Sequence, residues 1–401
     1  MLHWYPNLFG GDGVANVVVG LAGAQLRQGA EVLIAALPAR REPSRIAHAL
    51  RATGVRVIVW KPAWQLYSGK LGLRGLSRAD RAMLADLRPD VVHLHGEFNP
   101  DNLRVPSLFD RPAFLSPHGA FHPVVRAKHR IGKSLYIALA RSVLYRRVIF
   151  HASSPAEESH VRSVCPRGRV VVWPNGPSPW VEELFTRAAA LPAGPTAPAA
   201  PSTAAAPASP RARSSDQLVF FYAGRLDVFN KGLDILLDAF AAATRGLPGA
   251  DVVLRMAGPD FAEGRGELLR RARALGVEGR VELLGYLDDD ALAAAYEAAD
   301  VYLQLSRNEA FSLSAADALF LGKPVILGTG VGNGSYPEIG GLPHVARVAP
   351  DPREAALAMI DAVRRIEELR DSAARHRAAI RAFLSWDDIA ARSLEAYRDA
   401  L

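Results

Sequence analysis

One stretch divides this chain more firmly than any other feature. From about Ala188 to Ser215 it reads almost wholly Ala, Pro and Ser, with a few Gly, Thr and Arg. Proline removes a backbone donor and disfavours helix, and the small side chains around it offer nothing to bury, so this segment builds no core. It is expected to be an extended linker. The chain has 401 residues, 49% of them hydrophobic and 22% charged. That is ordinary globular composition, with room for a folded domain on each side of the linker.

Both flanks repeat one pattern. Before the linker, helical spacing from Asn16 to Arg27 ends at Gly29, and the apolar run EVLIAAL (Glu31–Leu37) follows. A helical stretch at Ile46–Thr53 leads to VRVIVW (Val55–Trp60), then come DVVHLHG (Asp90–Gly96) and AFLSPHG (Ala113–Gly119). Short apolar runs of this kind read as strands buried on both faces. After the linker the strands are QLVFFYAG (Gln217–Gly224), DVVLRMAG (Asp251–Gly258), RVELLGYL (Arg280–Leu287), VYLQLS (Val301–Ser306) and KPVILGT (Lys323–Thr329). GLDILLDAFAAAT (Gly232–Thr244) is an amphipathic helix, and the chain ends in the helical SWDDIAARSLEAYRDAL (Ser385–Leu401). Alternating strand and helix predicts an α/β fold with two parallel sheets. The boundaries fall at residues 1–187, 188–215 and 216–384, with the helix 385–401 packing back on the first domain. Ligands of such sheets bind at the carboxyl ends of the strands, here in a cleft expected between the domains.

Charge and cysteine content narrow the setting. The net charge is +7, which favours anionic partners without choosing among them. No nucleic-acid-binding motif accompanies it, so no nucleic acid is expected. The single cysteine, Cys165, excludes an internal disulfide and fits a reducing compartment. No run approaches the roughly 20 apolar residues that span a bilayer, and MLHWYPNLFGGDG lacks the marks of a signal peptide. A cytoplasmic protein, peripheral at most at the inner membrane face, is the expectation.

The residues that carry chemistry lie at strand ends. GRLDVFNKG (Gly224–Gly232) places Arg225 and Lys231 between a strand and a helix, where a guanidinium and an ammonium suit a diphosphate. Alone, they read equally well as two solvated cations. SRNEAFSLSAADALFLGKPVI (Ser306–Ile326) is a strand end, a loop with Glu309, and a helix starting near Phe311 or Ser312. The N–H groups from Phe311 through Ser312 and Leu313 to Ser314 could hold a phosphate. Glu309 is placed to accept from sugar hydroxyls. Asp317 sits too deep in the apolar AADALFLG to be a surface acid, and could accept from the hydroxyls of a ribose.

These segments resemble the retaining group 1 glycosyltransferases, which have the GT-B fold of two Rossmann-like domains. The family signature is a G-R-L…K-G segment, followed by a Glu separated by seven residues from a second Glu. The resemblance implies that Arg225 and Lys231 grip the donor diphosphate, and that Glu309 contacts the transferred sugar. Asp317 stands where the second, ribose-binding Glu is usual, and Glu309-Ala310-Phe311-Ser312 replaces the common E-G-F-G.

The likeness covers nearly everything outside the linker. It implies that Gly10-Gly11 approaches the donor phosphates, that His118 contacts the donor sugar, and that His95 and Glu97 lie in acceptor-side loops. Asn175 lies in a P-N-G turn at the interdomain joint, and the backbone around Tyr286 reads the base. Family members usually have a fuller first strand, so either β1 is short here (MLHWY) or the start lies upstream. No metal or other cofactor is expected beyond the nucleotide sugar, because protein cations stabilise the leaving diphosphate. The basic, apolar-interleaved segment Arg126–Arg147 reads as either a membrane-surface helix, suited to a lipid-linked acceptor, or a core helix with a solvated basic side.

The implied activity is transfer of a hexose-type sugar from a nucleoside diphosphate sugar to a hydroxyl, with retention, in polysaccharide, glycolipid or glycoconjugate synthesis. Rival readings are a catalytically silent sugar-nucleotide-binding partner and another GT-B activity, such as an epimerase. The signature disfavours the epimerase, and a phosphorylase would be a much longer chain.

Overall fold

The computed structural model describes residues 1–38, 44–60, 64–68, 71–75, 78–109, 111–182, 184 and 217–401. The Ala188–Ser215 segment lies outside them. The chain resolves into two units, Met1–Pro179 with Phe383–Leu401 and Trp180–Ala382.

In the first unit the strands are β1 (Leu2–Trp4), β2 (Leu33–Ala36), β3 (Arg56–Val59), a hairpin of β4 (Trp64–Ser68) and β5 (Leu71–Gly75), β6 (Val92–His95), β7 (Ala113–Ser116), β8 (Val148–Ala152) and β9 (Val170–Val172). All but the antiparallel hairpin join one sheet of order β3-β2-β1-β6-β7-β8-β9. Its strand pairs are all parallel, as helical crossovers require. β1, β6 and β7 are central and wholly buried, which fits their near-continuous apolar sequence. VRVIVW was read as equally buried, yet β3 is half-exposed. It forms the sheet edge, where one flank has no neighbouring strand. Strand β8 (VIFHA) is fully buried and was not anticipated.

The helix Gly13–Arg27 starts under the Asp12 side chain, which accepts from the Ala15 N–H at 2.9 Å. The terminal helix Trp386–Arg398 packs on it. Trp386 sits in a slot made by two glycines: a Cβ on Gly20 or on Gly176 would lie 2.5 Å from the indole. Its indole N–H donates to the Pro177 carbonyl at 2.8 Å. Gly176 of the P-N-G turn is therefore the floor under a tryptophan from the far end of the chain.

In the second unit β10 (Leu218–Ala223), β11 (Val252–Ala257), β12 (Val281–Gly285), β13 (Val301–Gln304), β14 (Val325–Gly328) and β15 (Val345–Val348) form a sheet of order β12-β11-β10-β13-β14-β15. The helix Leu233–Gly246 lays Leu233, Leu236, Leu237 and Phe240 against Phe220, Leu254 and Leu303 of the central strands. Strand order reverses across β10 and β13, so the loops that follow these two strands open at a topological switch point.

Candidate active site

The Gly224–Gly232 loop after β10 is held from several directions. Asp227, 8% exposed, accepts from the backbone N–H of Asn230 at 3.2 Å and from its side-chain amide at 2.7 Å. Gly232 has φ +64, and a Cβ there would meet the Leu305 carbonyl oxygen at 2.1 Å, so only glycine closes this turn. Arg307 donates through both terminal nitrogens to Asp234 at 2.7 Å and once more to the Phe229 carbonyl. The loop is thereby fixed to the segment that follows β13.

That fixing brings two of the expected residues together. Lys231 forms an ion pair with Glu309, their side chains 19% and 21% exposed. Arg225 is exposed, with its guanidinium 5.0 Å from the centre of the Phe261 ring, and its carbonyl accepts from Tyr222 at 3.0 Å. Behind Glu309 runs a polar chain that sequence reasoning missed. Tyr302 donates to Gln304 at 2.8 Å, Gln304 to Ser306 at 2.7 Å, and Ser306 to Glu309 at 3.4 Å. Burial pushes the Tyr302 phenol above its ordinary range, so it stays a donor. The alternation Tyr302, Gln304, Ser306 on a strand otherwise apolar was the available signal.

The helix expected near Phe311 or Ser312 runs Leu313–Phe320, with Ser312 as its cap accepting from the Ala315 N–H at 3.2 Å. One expectation is corrected here. The Ser312 N–H is not open to a phosphate: it donates to Asn333 at 2.7 Å, and the Asn333 amide donates back to the Ser312 carbonyl at 3.0 Å. The N–H groups of Leu313 and Ser314 have no carbonyl of their own helix to meet. Phe311 is buried, Tyr286 is 53% exposed, and Asp317 is 2% exposed with its charge acting on the Tyr296 phenol. Asp288 and Asp290 also make an Asp-x-Asp spacing, but Asp288 caps the helix Asp289–Glu297 by accepting from the Ala291 N–H at 2.9 Å.

In the first unit Gly10 closes a short 3-10 turn and Gly11 follows with φ +65. Asp12 next to them accepts from Tyr5 at 2.7 Å. His118 lies in the loop after β7 at φ +50. That loop is tied down by Glu157, a buried carboxyl that accepts from the Gly119 N–H at 2.5 Å and from the Ser153 N–H at 2.8 Å. Burial lowers His118 to about 4, with the Asp12 carboxylate opposing the shift. Asn175 is 4% exposed.

His95 and Glu97 were expected to face an acceptor, but each is 1% exposed. Glu97 receives the Tyr145 hydroxyl at 2.5 Å, and burial raises it to about 8, so it is a neutral core acid at pH 7. His95 joins a network that single-residue reading could not anticipate. His3 and His93 are cross-strand partners, His95 pairs with Ser116, and His151 extends the row on β8. Their nitrogens form two chains. One runs Gln25–His3–His95–His118, with separations of 2.7, 3.0 and 3.2 Å. The other runs Tyr397–His93–Ser116–His151, with separations of 2.5, 2.6 and 2.7 Å. Three of these imidazoles, His3, His93 and His95, offer nitrogens within 4.8 Å of one another. Each ring nitrogen already faces a hydrogen-bond partner, so the trio is a hydrogen-bonded row rather than an open ligand set. The signal in the sequence was a histidine within three of the buried strands: LHW, VHLH and VIFHA.

Comparison with known proteins matches each half of the chain to a glycosyltransferase family. Residues 217–366 match the family described as Glycosyl transferases group 1, and residues 11–179 match Glycosyltransferase Family 4. Mannosylfructose-phosphate synthase of Agrobacterium fabrum is 34% identical over 108 residues, 26% of this chain and only 24% of that protein. GDP-mannose:cellobiosyl-diphosphopolyprenol alpha-mannosyltransferase of Xanthomonas oryzae pv. oryzae is 26% identical over 351 residues, 83% of this chain and 80% of its own. The fold is shared with HepE of Anabaena, solved in complex with UDP and glucose, at a TM-score of 0.66 and 17% identity over 98% of this chain and 99% of that one. With two Rossmann-like sheets, a family match on each, and the G-R-L…K-G and Glu309 segments at adjoining strand ends, the chain belongs to the group 1 glycosyltransferases.

Proposed function

We propose that this glycosyltransferase moves a hexose-type sugar from a nucleoside diphosphate donor to a hydroxyl acceptor with retention of anomeric configuration. The observation that carries the reading is the seating of Lys231 against Glu309, beside the capped helix that begins at Leu313. In the reaction the bond from the anomeric carbon to the diphosphate oxygen breaks, and one to the acceptor oxygen forms. Negative charge grows on the departing diphosphate. Arg225, Lys231 and the first-turn amides of Leu313 and Ser314 would meet it, and such preorganised charge is the largest single contribution in reactions of this class. Glu309 would orient the sugar, and Asp317 would take the ribose. His118 would accept from a sugar hydroxyl. These cations stand in for a divalent ion, and no metal or other cofactor is part of the proposal.

The supporting relatives carry names that include a mannosyl donor and a diphosphopolyprenol acceptor, and the structural relative was solved with UDP and glucose. Calorimetric titration of the purified protein with UDP-glucose and GDP-mannose is the direct test. Micromolar binding of one donor, with product of retained configuration on an added acceptor, is the expected result. Absence of binding by either would sink the reading, and binding without turnover would favour a silent partner.

We further infer that the acceptor is lipid-linked and met at a membrane surface. The segment Arg126–Arg147 takes in the end of the helix Pro123–Ala127 and the whole of the helix Arg130–Val143. The longer helix buries Tyr136, Ile137 and Ala140. Its opposite face is apolar as well as basic: Ile131, Leu135, Leu139 and Val143 recur at four-residue spacing and are 86%, 73%, 51% and 42% exposed. Exposed Lys128, Arg130, Arg146 and Arg147 flank them, the pairing of apolar stripe and cations that suits an anionic bilayer. Among the described residues no helix is long and apolar enough to cross a membrane. Co-flotation with vesicles containing phosphatidylglycerol, abolished by Leu135→Glu with Leu139→Glu, is expected; equal flotation of that variant would refute the contact.

A further inference from the structure

We infer that a one-way hydrogen-bond chain, Ser393–Gln25–His3–His95, fixes His118 as its Nε2–H tautomer and leaves its Nδ1 as a bare acceptor for a hydroxyl of the transferred sugar. The inference rests on the reading of His118 as a sugar contact and goes beyond it by naming which atom is presented and what sets it.

The direction follows link by link. The Ser393 hydroxyl donates to the Ala390 carbonyl at 2.7 Å, so towards Gln25 it can only accept, and the Gln25 amide nitrogen stands 2.9 Å away. That turns the Gln25 oxygen to His3 Nε2 at 2.7 Å. An amide oxygen only accepts, so the His3 proton is on Nε2 and its Nδ1 is a lone pair. The 3.0 Å contact between His3 Nδ1 and His95 Nε2 is then donated by His95. His95 Nδ1 becomes an acceptor in turn, and the 3.2 Å contact to His118 Nε2 is donated by His118. Among the described residues His118 Nδ1 meets no hydrogen-bond partner.

Two further facts make the chain directional rather than a proton store. Burial keeps His3 and His118 near 4 and His95 well below its ordinary range, so all three are neutral at pH 7. The second row has its own anchor at the other end. His151 donates from Nε2 to the Trp173 carbonyl at 3.0 Å, accepts from Ser116 at Nδ1, and Ser116 accepts from His93 Nε2. His93 Nδ1 then accepts from the Tyr397 hydroxyl. No spare proton passes from that row into the first. Gln25, His3 and Ser393 are at most 1% exposed, so water does not compete for these links.

The chemical consequence is selective. An unprotonated nitrogen accepts from a hydroxyl and repels a carboxylate or a phosphate at the same place. The donor sugar is therefore one that carries a hydroxyl, not an acid, opposite His118. Gln25, His3, His95 and Ser393 act as positioning residues, since none touches the substrate itself.

The tautomer is measurable directly in the full chain labelled with ¹⁵N-histidine, by long-range proton–nitrogen correlation without any ligand. The expected result in the unaltered protein is a single Nε2–H form of His118 at pH 7. Gln25→Leu removes the fixed acceptor and is expected to give a mixture of tautomers, with kcat/KM lower by about tenfold, the worth of one hydrogen bond. Gln25→Glu keeps an accepting oxygen and is expected to restore both. An Nδ1–H His118 in the unaltered protein would overturn the inference, as would a Gln25→Leu variant whose His118 tautomer is unchanged. Failure to bind any nucleotide sugar would count against the donor reading alone, because the tautomer is read in the free protein.

Discussion

The two units meet polar chemistry in opposite ways. In Trp180–Ala382 the side chains at the strand ends are ionised and paired within reach of water: Lys231 with Glu309, and Arg307 with Asp234. In Met1–Pro179 the side chains at the equivalent strand ends are neutral and buried, and are joined by hydrogen bonds whose direction is fixed by Ser393 and the Trp173 carbonyl. A charge needs water or a counter-charge to persist, so an ionised side chain stays near the surface or takes a partner. A neutral imidazole row can be buried completely, and gains directionality from the low dielectric around it. One unit presents paired charges at its strand ends, the other neutral imidazoles joined by hydrogen bonds.

Acid should separate the units most sharply. His3 and His151 are lowered to about 4 and about 3 by burial, and burial also lowers His93 and His95 well below their ordinary range. Their unfolded forms take up protons below about 6.5, so stability falls as pH falls through that value towards the folded one. At pH 5 this amounts to about 2 kcal/mol each for His3 and His151. Glu97, raised to about 8, runs the other way and offsets about 2 kcal/mol, since its protonated native form gains as pH drops. Hydrogen exchange at pH 7 and pH 5 should show β1, β6, β7 and β8 losing protection while β10, β11 and β13 keep theirs. Equal losses in both units would erase the contrast.

The next largest effect is expected from Arg225→Ala combined with Lys231→Ala. Loss of both cations should lower kcat/KM by roughly a thousandfold, with the unfolding midpoint little changed. Unaltered donor affinity in a calorimetric titration would show the diphosphate to be elsewhere. Gly232→Ala sharpens the same side of the comparison through the backbone. A Cβ at 2.1 Å from the Leu305 oxygen, at φ +64, should cost about 3 kcal/mol in denaturant unfolding; a cost below about 1 kcal/mol would mean the turn is not what fixes Lys231. The smallest effect is expected from Asn333→Ala. It frees the Ser312 N–H and carbonyl and should weaken donor binding by about tenfold, whereas tighter binding would mean that the released amide serves the phosphate after all.

How much of this was legible depends on how far each residue's partner lies along the chain. The strand runs around β10, β11, β13 and β14 were readable because burial on both faces writes itself as continuous apolar sequence. β3 looked the same and is an edge strand, because strand order is a property of the assembled sheet and leaves no local trace. Ser312 was readable as a helix start, since capping is local chemistry within three residues. Its sequestration by Asn333, 21 residues on, was not. Glu97 looked like a loop acid because GEFNP is polar, but Tyr145 comes to it from 48 residues away and the core closes over both.

The sequence by itself determined the α/β class of both halves and, by resemblance, the family through Arg225, Lys231 and Glu309. The class rests on periodicity and the family on the resemblance of short motifs, and a linear pattern records both. The tertiary structure alone decided that Lys231 and Glu309 meet as a pair, that Trp386 fills the slot left by Gly20 and Gly176, and that five histidines from three strands and a loop line up in one hydrogen-bonded array. Each of these joins residues distant in sequence. Hydrogen-bond direction, burial and charge pairing are set by the neighbours that the fold supplies.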